Sequence, residues 1–379
     1  MKMKINSSLD DMLSSSAIGS VDRAIANALF GLNHRNTGNL VPSNRDQQGY
    51  VFVVRPQLNM QKENLSNVRK LYPLLSNNPT SVDRYVRCTL DPRQQTGYSF
   101  NTKPVSQANR KYYDSIGLYP NSVPGIECSL VDMRQCFIPL ITNMVEKVTG
   151  WPESQVPTMS FEPGIFREKY ALVDGMMENY DEYEIDFAFK GMKGNVLLYL
   201  LYIWTYYPTL LIGGQLARYP DYRSENRLDY TTRVWRLTMD ESNETVSMLT
   251  ASGASFWVTT NVAPFADYDR GTAVLNPAKE FSIRCKCLGF QFFDPILVQE
   301  FNTTVTQFNP EMSDQFRDDD MIKVPKSWLS YFNFRGYPRI NPSSMELEWY
   351  IDKTYFNVRS AEFLETNAGQ SFINELTDL

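Results

Sequence analysis

Between residues 183 and 189 the chain reads YEIDFAF, with Tyr183, Ile185, Phe187 and Phe189 alternating against Glu184, Asp186 and Ala188. A period of two marks a strand with one buried and one wet face. Alternation, or a short β-branched and aromatic run between turn residues, also predicts strands in GYVFVVRP (49–56), RYVRCTL (84–90), VPTMSFEPG (156–164), IFREKYALVDG (165–175), RVWRLTMD (233–240), ASFWVTTNVAPF (254–265) and EFSIRCKCLGFQFFD (280–294). Helical spacing is expected in three other places. Ser20 can cap a helix over 20–33 whose apolar face holds Val21, Ile25, Leu29 and Phe30. NLSNVRKLYPLLSN (64–77) predicts a helix interrupted near Pro73, and CFIPLITNMVEKVTG (136–150) one that Gly150 ends.

The longest apolar run, GNVLLYLLYIWTYYPTLLIGGQLA (194–217), carries no charge. Its length meets the entry criterion for a membrane span. Pro208 and Gly213-Gly214 break it, so the continuous helical piece is expected to end near Tyr207, at about 20 Å, short of a ~30 Å hydrocarbon core. Tyr199, Tyr202, Tyr206 and Tyr207 are spread through it and do not gather at the ends as interface anchors would. A buried helix after the 183–189 strand is therefore expected, with no membrane anchor.

The pattern divides the chain into an N-terminal arm (1–48), a first strand with a mixed insertion (49–155), a strand-rich core (156–308) and a C-terminal extension (309–379). Within the insertion, residues 91–121 are rich in Gln, Asn, Tyr and Pro and predict little regular structure.

A chain of 379 residues with 42% hydrophobic and 21% charged residues can bury a core and is neither disordered nor of membrane class. The 13% of aromatic residues suits strands and wide protein interfaces. A net charge of −6 lacks the Lys and Arg excess that phosphate binding requires, so sequence-wide DNA affinity is not expected. No secretory start is visible, which implies synthesis in a cytosol and reduced thiols. Cys285 and Cys287 fall on one side of their strand, where small apolar residues explain them better than a metal.

Catalytic chemistry finds no foothold. His34 is the single histidine, no G-x-S-x-G is present, and GMKGN (191–195) lacks the rest of a phosphate loop. Acidic residues cluster at Glu178, Asp181, Glu182, Glu184 and Asp186, and again at Asp318, Asp319 and Asp320. Glu184 and Asp186 share a face and could hold a divalent cation, but their alternation fits the wet side of a strand. No catalytic, metal or cofactor residues are assigned.

The order of strands, G-turn, helix, polar loop and further strands between Val156 and Phe308 resembles the tail-tube fold of tailed bacteriophages and contractile injection systems. The residues that carry the likeness are YEIDFAFKGMKGNVLLYLLYIW, ASFWVTTNVAPF and EFSIRCKCLGFQFFD. It is most similar to the baseplate proteins that initiate the tube, because the insertion and extension make the chain larger than a bare tube subunit. The resemblance implies an α+β chain with an antiparallel β-sandwich or barrel and one flanking helix. It further implies a non-enzymatic virion protein, assembled in the host cytoplasm, whose copies form a ring, a hexamer, with other tail and baseplate proteins. DNA would pass through the channel without being specifically bound. Glu178, Asp181, Glu182 and Glu184 are expected on the lumen or rim. The polar loop ARYPDYRSENRLDY (217–230), with Arg218, Tyr219, Tyr222, Arg223, Arg227 and Tyr230, is the candidate contact to the next ring. The alternatives are a head–tail connector, a tail terminator or a capsid-associated protein, and more remotely a metal-dependent enzyme on the acidic clusters.

Overall fold

The computed structural model describes residues 49–78, 81–94, 128, 131–132, 134–154, 156–175, 182–191, 194–240, 244–260, 262–266, 280–325 and 336–357. The helix expected at 20–33, His34, most of the 91–121 segment, Glu178 and Asp181 lie outside them.

The strands are β1 (Tyr50–Val53), β2 (Val145–Thr149), β3 (Thr158–Ser160), β4 (Ala171–Val173), β5 (Glu182–Lys190), β6 (Val234–Met239), β7 (Val246–Trp257), β8 (Glu280–Phe292), β9 (Met321–Lys323), β10 (Tyr337–Ile340) and β11 (Leu347–Asp352). The principal helices are α1 (Val82–Leu90), α2 (Pro139–Met144), α3 (Val196–Ile212), α4 (Pro220–Ser224) and α5 (Ile296–Phe308). Six strands form one curled antiparallel sheet, a half-barrel, in the order β1-β6-β7-β8-β5-β2. β1 and β2 come from the 49–155 segment and the others from 156–308, so one sheet draws on both.

β5 shows why the sheet has two unlike faces. Ile185, Phe187 and Phe189 are buried while Glu182, Glu184 and Asp186 are exposed. α3 covers the buried face through Trp204, whose ring meets Trp257 edge-on at 5.8 Å, and Trp257 meets Phe187 at 5.1 Å. α1 packs on another side of α3. A helix enclosed on several sides can be apolar all round, which accounts for the uncharged 194–217 run.

α3 corrects one expectation. It continues through Pro208 to Ile212, for 17 residues or about 26 Å. Proline inside a helix costs about 3 kcal/mol, and burial of Leu210 in the turn beyond it offsets that cost. No helix among the described residues is long and apolar enough to cross a membrane.

Three further segments differ from their predicted state. RYVRCTL is helical, in α1, where the Ser81 hydroxyl accepts the Arg84 amide at 3.2 Å and caps the first turn. CFIPLITNMVEKVTG is split, with α2 giving way at Val145 to the β-branched strand β2. The 64–77 segment holds the end of a four-residue helix, Lys62–Leu65, and a 3-10 turn, Arg69–Leu75.

α5 is a second flanking helix, where the resemblance implies a single one. Its Leu297, Phe301, Val305 and Phe308 are buried, and Phe301 centres a cluster with Phe52, Phe137 and Trp235, at ring separations of 6.0, 5.3 and 5.4 Å. The C-terminal strands pair as β10-β11-β9. They join the body through a Thr245–Glu346 bridge and through Arg134, which sits between Glu311 and Asp352.

Gly150 stands directly after β2. Its φ is +101°, and a Cβ there would overlap the Glu184 carbonyl oxygen. Gly150→Ala is expected to destabilise the protein by about 1–3 kcal/mol, because the left-handed backbone and the close carbonyl both resist a side chain. Urea unfolding checks this, and a midpoint equal to wild type would contradict it.

Candidate assembly surface

β3 and β4 pair only with each other among the described residues, through Thr158–Val173, Met159–Leu172 and Ser160–Ala171. The turn beyond them is closed by the Gly164 amide donating to Glu168 O at 3.0 Å and the Arg167 amide to Gly164 O at 2.9 Å. Phe161, Tyr170, Leu172 and Val173 are exposed along the hairpin, as are Val156 and Met159. At the tip Ile165 is 96% and Phe166 90% exposed. A two-stranded hairpin alone in water is marginal at best, and contiguous exposed apolar surface of this kind marks an interaction site. The hairpin leaves the sheet beside β2, whose outer edge has no partner strand among the described residues.

The 217–230 loop is built differently. α4 fills its middle, and its tyrosines turn inward onto the α1 end of the body. Tyr219 is buried and donates its hydroxyl to Asp91 Oδ2 at 2.8 Å, and Tyr222 donates to Gln57 Oε1 at 3.0 Å. The Arg93 guanidinium lies 4.8 Å from the centre of each of these rings and pairs with Asp221 at 2.8 Å. That hydrogen bond holds the Asp221 carboxyl below the usual range. The Tyr230 carbonyl accepts Trp204 Nε1–H at 2.9 Å. Arg218 donates to the Arg227 carbonyl at 2.6 Å, while Arg227 lies over Tyr222 and pairs with Glu225 at 3.3 Å. Thus Tyr219, Tyr222 and Tyr230 anchor the loop, and Arg223, Arg227 and Leu228 remain on its outer side.

Among the acidic residues, Glu182 pairs with Lys286, and Arg284 bridges Glu184 at 3.2 Å and Asp186 at 3.1 Å. Each bond raises the cation's pKa, through Asp186 for Arg284 and through Glu182 for Lys286. The wet face of β5 and β8 is therefore a ladder of alternating charge, and its carboxylates already face cations of the chain. Among the described residues no three His, Cys, Asp or Glu side chains stand together as metal ligands. Asp318, Asp319 and Asp320 fall on a short exposed helix, where Lys353 Nζ donates to the Asp318 and Asp319 carbonyls.

Among the described residues the curled antiparallel sheet thus leaves one edge of β2 unpaired, and the hairpin leaves its apolar side chains exposed. The sequence matches a family described as "Putative phage tail tube protein" over residues 4–366. The chain belongs to this family. It is a structural protein of the phage tail, carried in the virion and built into a tube with other tail proteins. No curated protein matches the chain, and no solved structure does.

For a tail tube protein the surface that matters is the one its neighbours cover. Interface composition points to the polar 217–230 loop, whereas the bare apolar surface is the hairpin. The hairpin is legible in the sequence as two strands, but alternation alone does not say whether an apolar side faces a core or a neighbour.

Proposed function

We propose that six copies of this tail tube protein close into a ring, sheet edge to sheet edge, around the channel through which DNA passes, with the 156–175 hairpin covered by a neighbouring copy. The exposed hairpin carries this reading, since a tube of repeated subunits must bury such a surface. Closing the half-barrel between copies would also pair the free edge of β2, which would otherwise invite uncontrolled pairing. We place the ladder of Glu182, Glu184, Asp186, Arg284 and Lys286 toward the lumen or rim, together with Glu178 and Asp181. With its cations already paired to carboxylates, such a wall would give phosphates little gain from counterion release, and DNA could slide. The outer side of the 217–230 loop, with Arg223 and Arg227, is the proposed contact to the next ring, held in place by its three tyrosines.

Within the tail we assign the repeating tube subunit. The arm, insertion and extension fall largely within the matched residues 4–366, so the length of the chain does not by itself favour a baseplate piece that starts the tube. One ring of copies per virion would instead select the initiator, with baseplate proteins as its partners.

The test is negative-stain electron microscopy of the purified, detergent-free full chain at low and high concentration, with mass in solution. Six-fold rings or short tubes are expected at high concentration. The double substitution Ile165→Ser and Phe166→Ser is expected to leave the melting temperature unchanged, because both side chains face solvent, and to abolish assembly. A wild-type chain that stays monomeric throughout, or a double variant that assembles normally, would overturn the reading.

A further inference from the structure

Phe293 lies in the turn between β8 and α5, and its placement is unusual twice over. It is 77% exposed, and its backbone is left-handed, with φ +55°. Bulky residues rarely adopt that conformation, and such strain persists only where the surrounding structure imposes it. Ile296 and Asp294 lie beside it, also exposed.

The Phe293 corner is not isolated from the hairpin. Phe293 meets Phe292 edge-on at 5.6 Å, Phe292 stacks on Phe290 at 5.2 Å, Phe290 meets Tyr183 at 5.9 Å, and Tyr183 meets Trp151 at 6.4 Å. Trp151 is the residue after Gly150, at the root of the hairpin. One strip of rings therefore runs from the hairpin root to the Phe293 corner.

We propose that the Phe293, Asp294 and Ile296 corner is the seat for the hairpin tip of a second copy of this chain. The inference rests on the reading of the hairpin as an assembly contact and names its receiving surface. Identical copies in a ring or tube meet through two different patches, one offered and one receiving. The tip offers Ile165 and Phe166 followed by the exposed cations Arg167 and Lys169, with the exposed Glu162 on the strand before them. Glu168 folds back over Gly164, where its Oε1 occupies the space a Cβ would need, which leaves the cations foremost at the turn. The corner presents Phe293 and Ile296 beside the exposed carboxylate of Asp294, whose Oδ1 accepts the Ile296 amide at 3.0 Å, so apolar meets apolar and positive meets negative. The aromatic strip would then tie each copy's seat to the root of its own hairpin, so that a copy gripped at the corner holds its arm in place for the next.

Two measurements on the full chain test this. Phe293→Gly removes the ring and the backbone strain together. It is expected to keep or raise the melting temperature while raising the concentration needed for assembly at least tenfold, a split that a purely structural role for Phe293 would not give. A photo-crosslinking residue at position 166, in assemblies mixed from isotope-labelled and unlabelled copies, is expected to join residues 288–300 of another copy. If tubes form and position 166 joins a different segment, or if Phe293→Gly assembles at the wild-type concentration, the seat is overturned and the hairpin reading stands. If neither assembly nor crosslinks between copies occur, both fall.

Discussion

Arg55→Met is expected to destabilise the folded chain by about 3–5 kcal/mol, a large part of the stability of a typical domain. Arg55 is 3% exposed and stands two residues beyond β1. Among the described residues its guanidinium donates to the backbone carbonyls of Thr89 (Nε, 3.0 Å), Cys88 (Nη2, 2.7 Å), Asp132 (Nη1, 2.9 Å) and Gln135 (Nη1, 3.0 Å). Cys88 and Thr89 lie in the last turn of α1, where carbonyls lack helical partners and carry the negative end of the helix dipole. One side chain thus joins the first strand, the end of a helix and the 132–135 segment. Methionine fills the space of the stem and leaves those acceptors buried without their donor.

Hydrogen bonds to a charged group are worth about 1.5–3 kcal/mol each, and removing a buried charge returns part of its desolvation cost, so the net is smaller than the gross sum. Arg55→Lys keeps the charge but lacks the planar fork, and it should recover only part of the loss. Chemical denaturation of the three proteins checks the order wild type, Lys, Met. A methionine variant within about 1 kcal/mol of wild type would show that the carbonyls find water or other donors.

What a sequence discloses about this fold depends on whether an element has one wet face. β5, β6 and β8 alternate because one side is buried and the other largely open, and their strands are legible. α1 reads as a strand because RYVRCTL is rich in strand formers, Tyr85, Val86 and Thr89, whose preference masks the polar face that Asp83, Arg84 and Arg87 share on the helix. Arg87 donates from Nε to the Met60 carbonyl at 2.9 Å, a partner that local sequence does not indicate. α5 carries a helical spacing in Leu297, Phe301, Val305 and Phe308, but its NTTVT stretch is rich in poor helix formers and hides it. At the assembly surface the limit is different. Tyr219 looks like an interface residue until its partner, Asp91, is brought from 128 positions away, and the apolar side of the hairpin looks like core although none of the described residues covers it.

The same Asp91 should make stability depend on pH in the direction opposite to that of an ordinary salt-bridged carboxylate. Its side chain is fully buried, and burial pushes its pKa up to about 6 from 3.8, despite hydrogen bonds from Tyr219 and the Met60 amide and the nearby Arg87 and Arg93. In the unfolded chain the carboxyl loses its proton near its ordinary pKa; in the folded chain it keeps the proton until about pH 6. Between these values the unfolded state binds fewer protons, so stability falls as pH rises. The contribution is complete below about pH 4 and lost above about pH 6, and a shift of roughly two pKa units corresponds to about 3 kcal/mol. Asp91→Asn cannot ionise, so it should shift stability by a constant amount and remove this slope. The stability of wild type relative to Asp91→Asn is therefore expected to drop by about 3 kcal/mol between about pH 4 and pH 7 in urea unfolding. Parallel curves for the two proteins would show that Tyr219, Met60 and the two arginines stabilise the carboxylate fully, and that the buried anchor of the 217–230 loop is charged throughout.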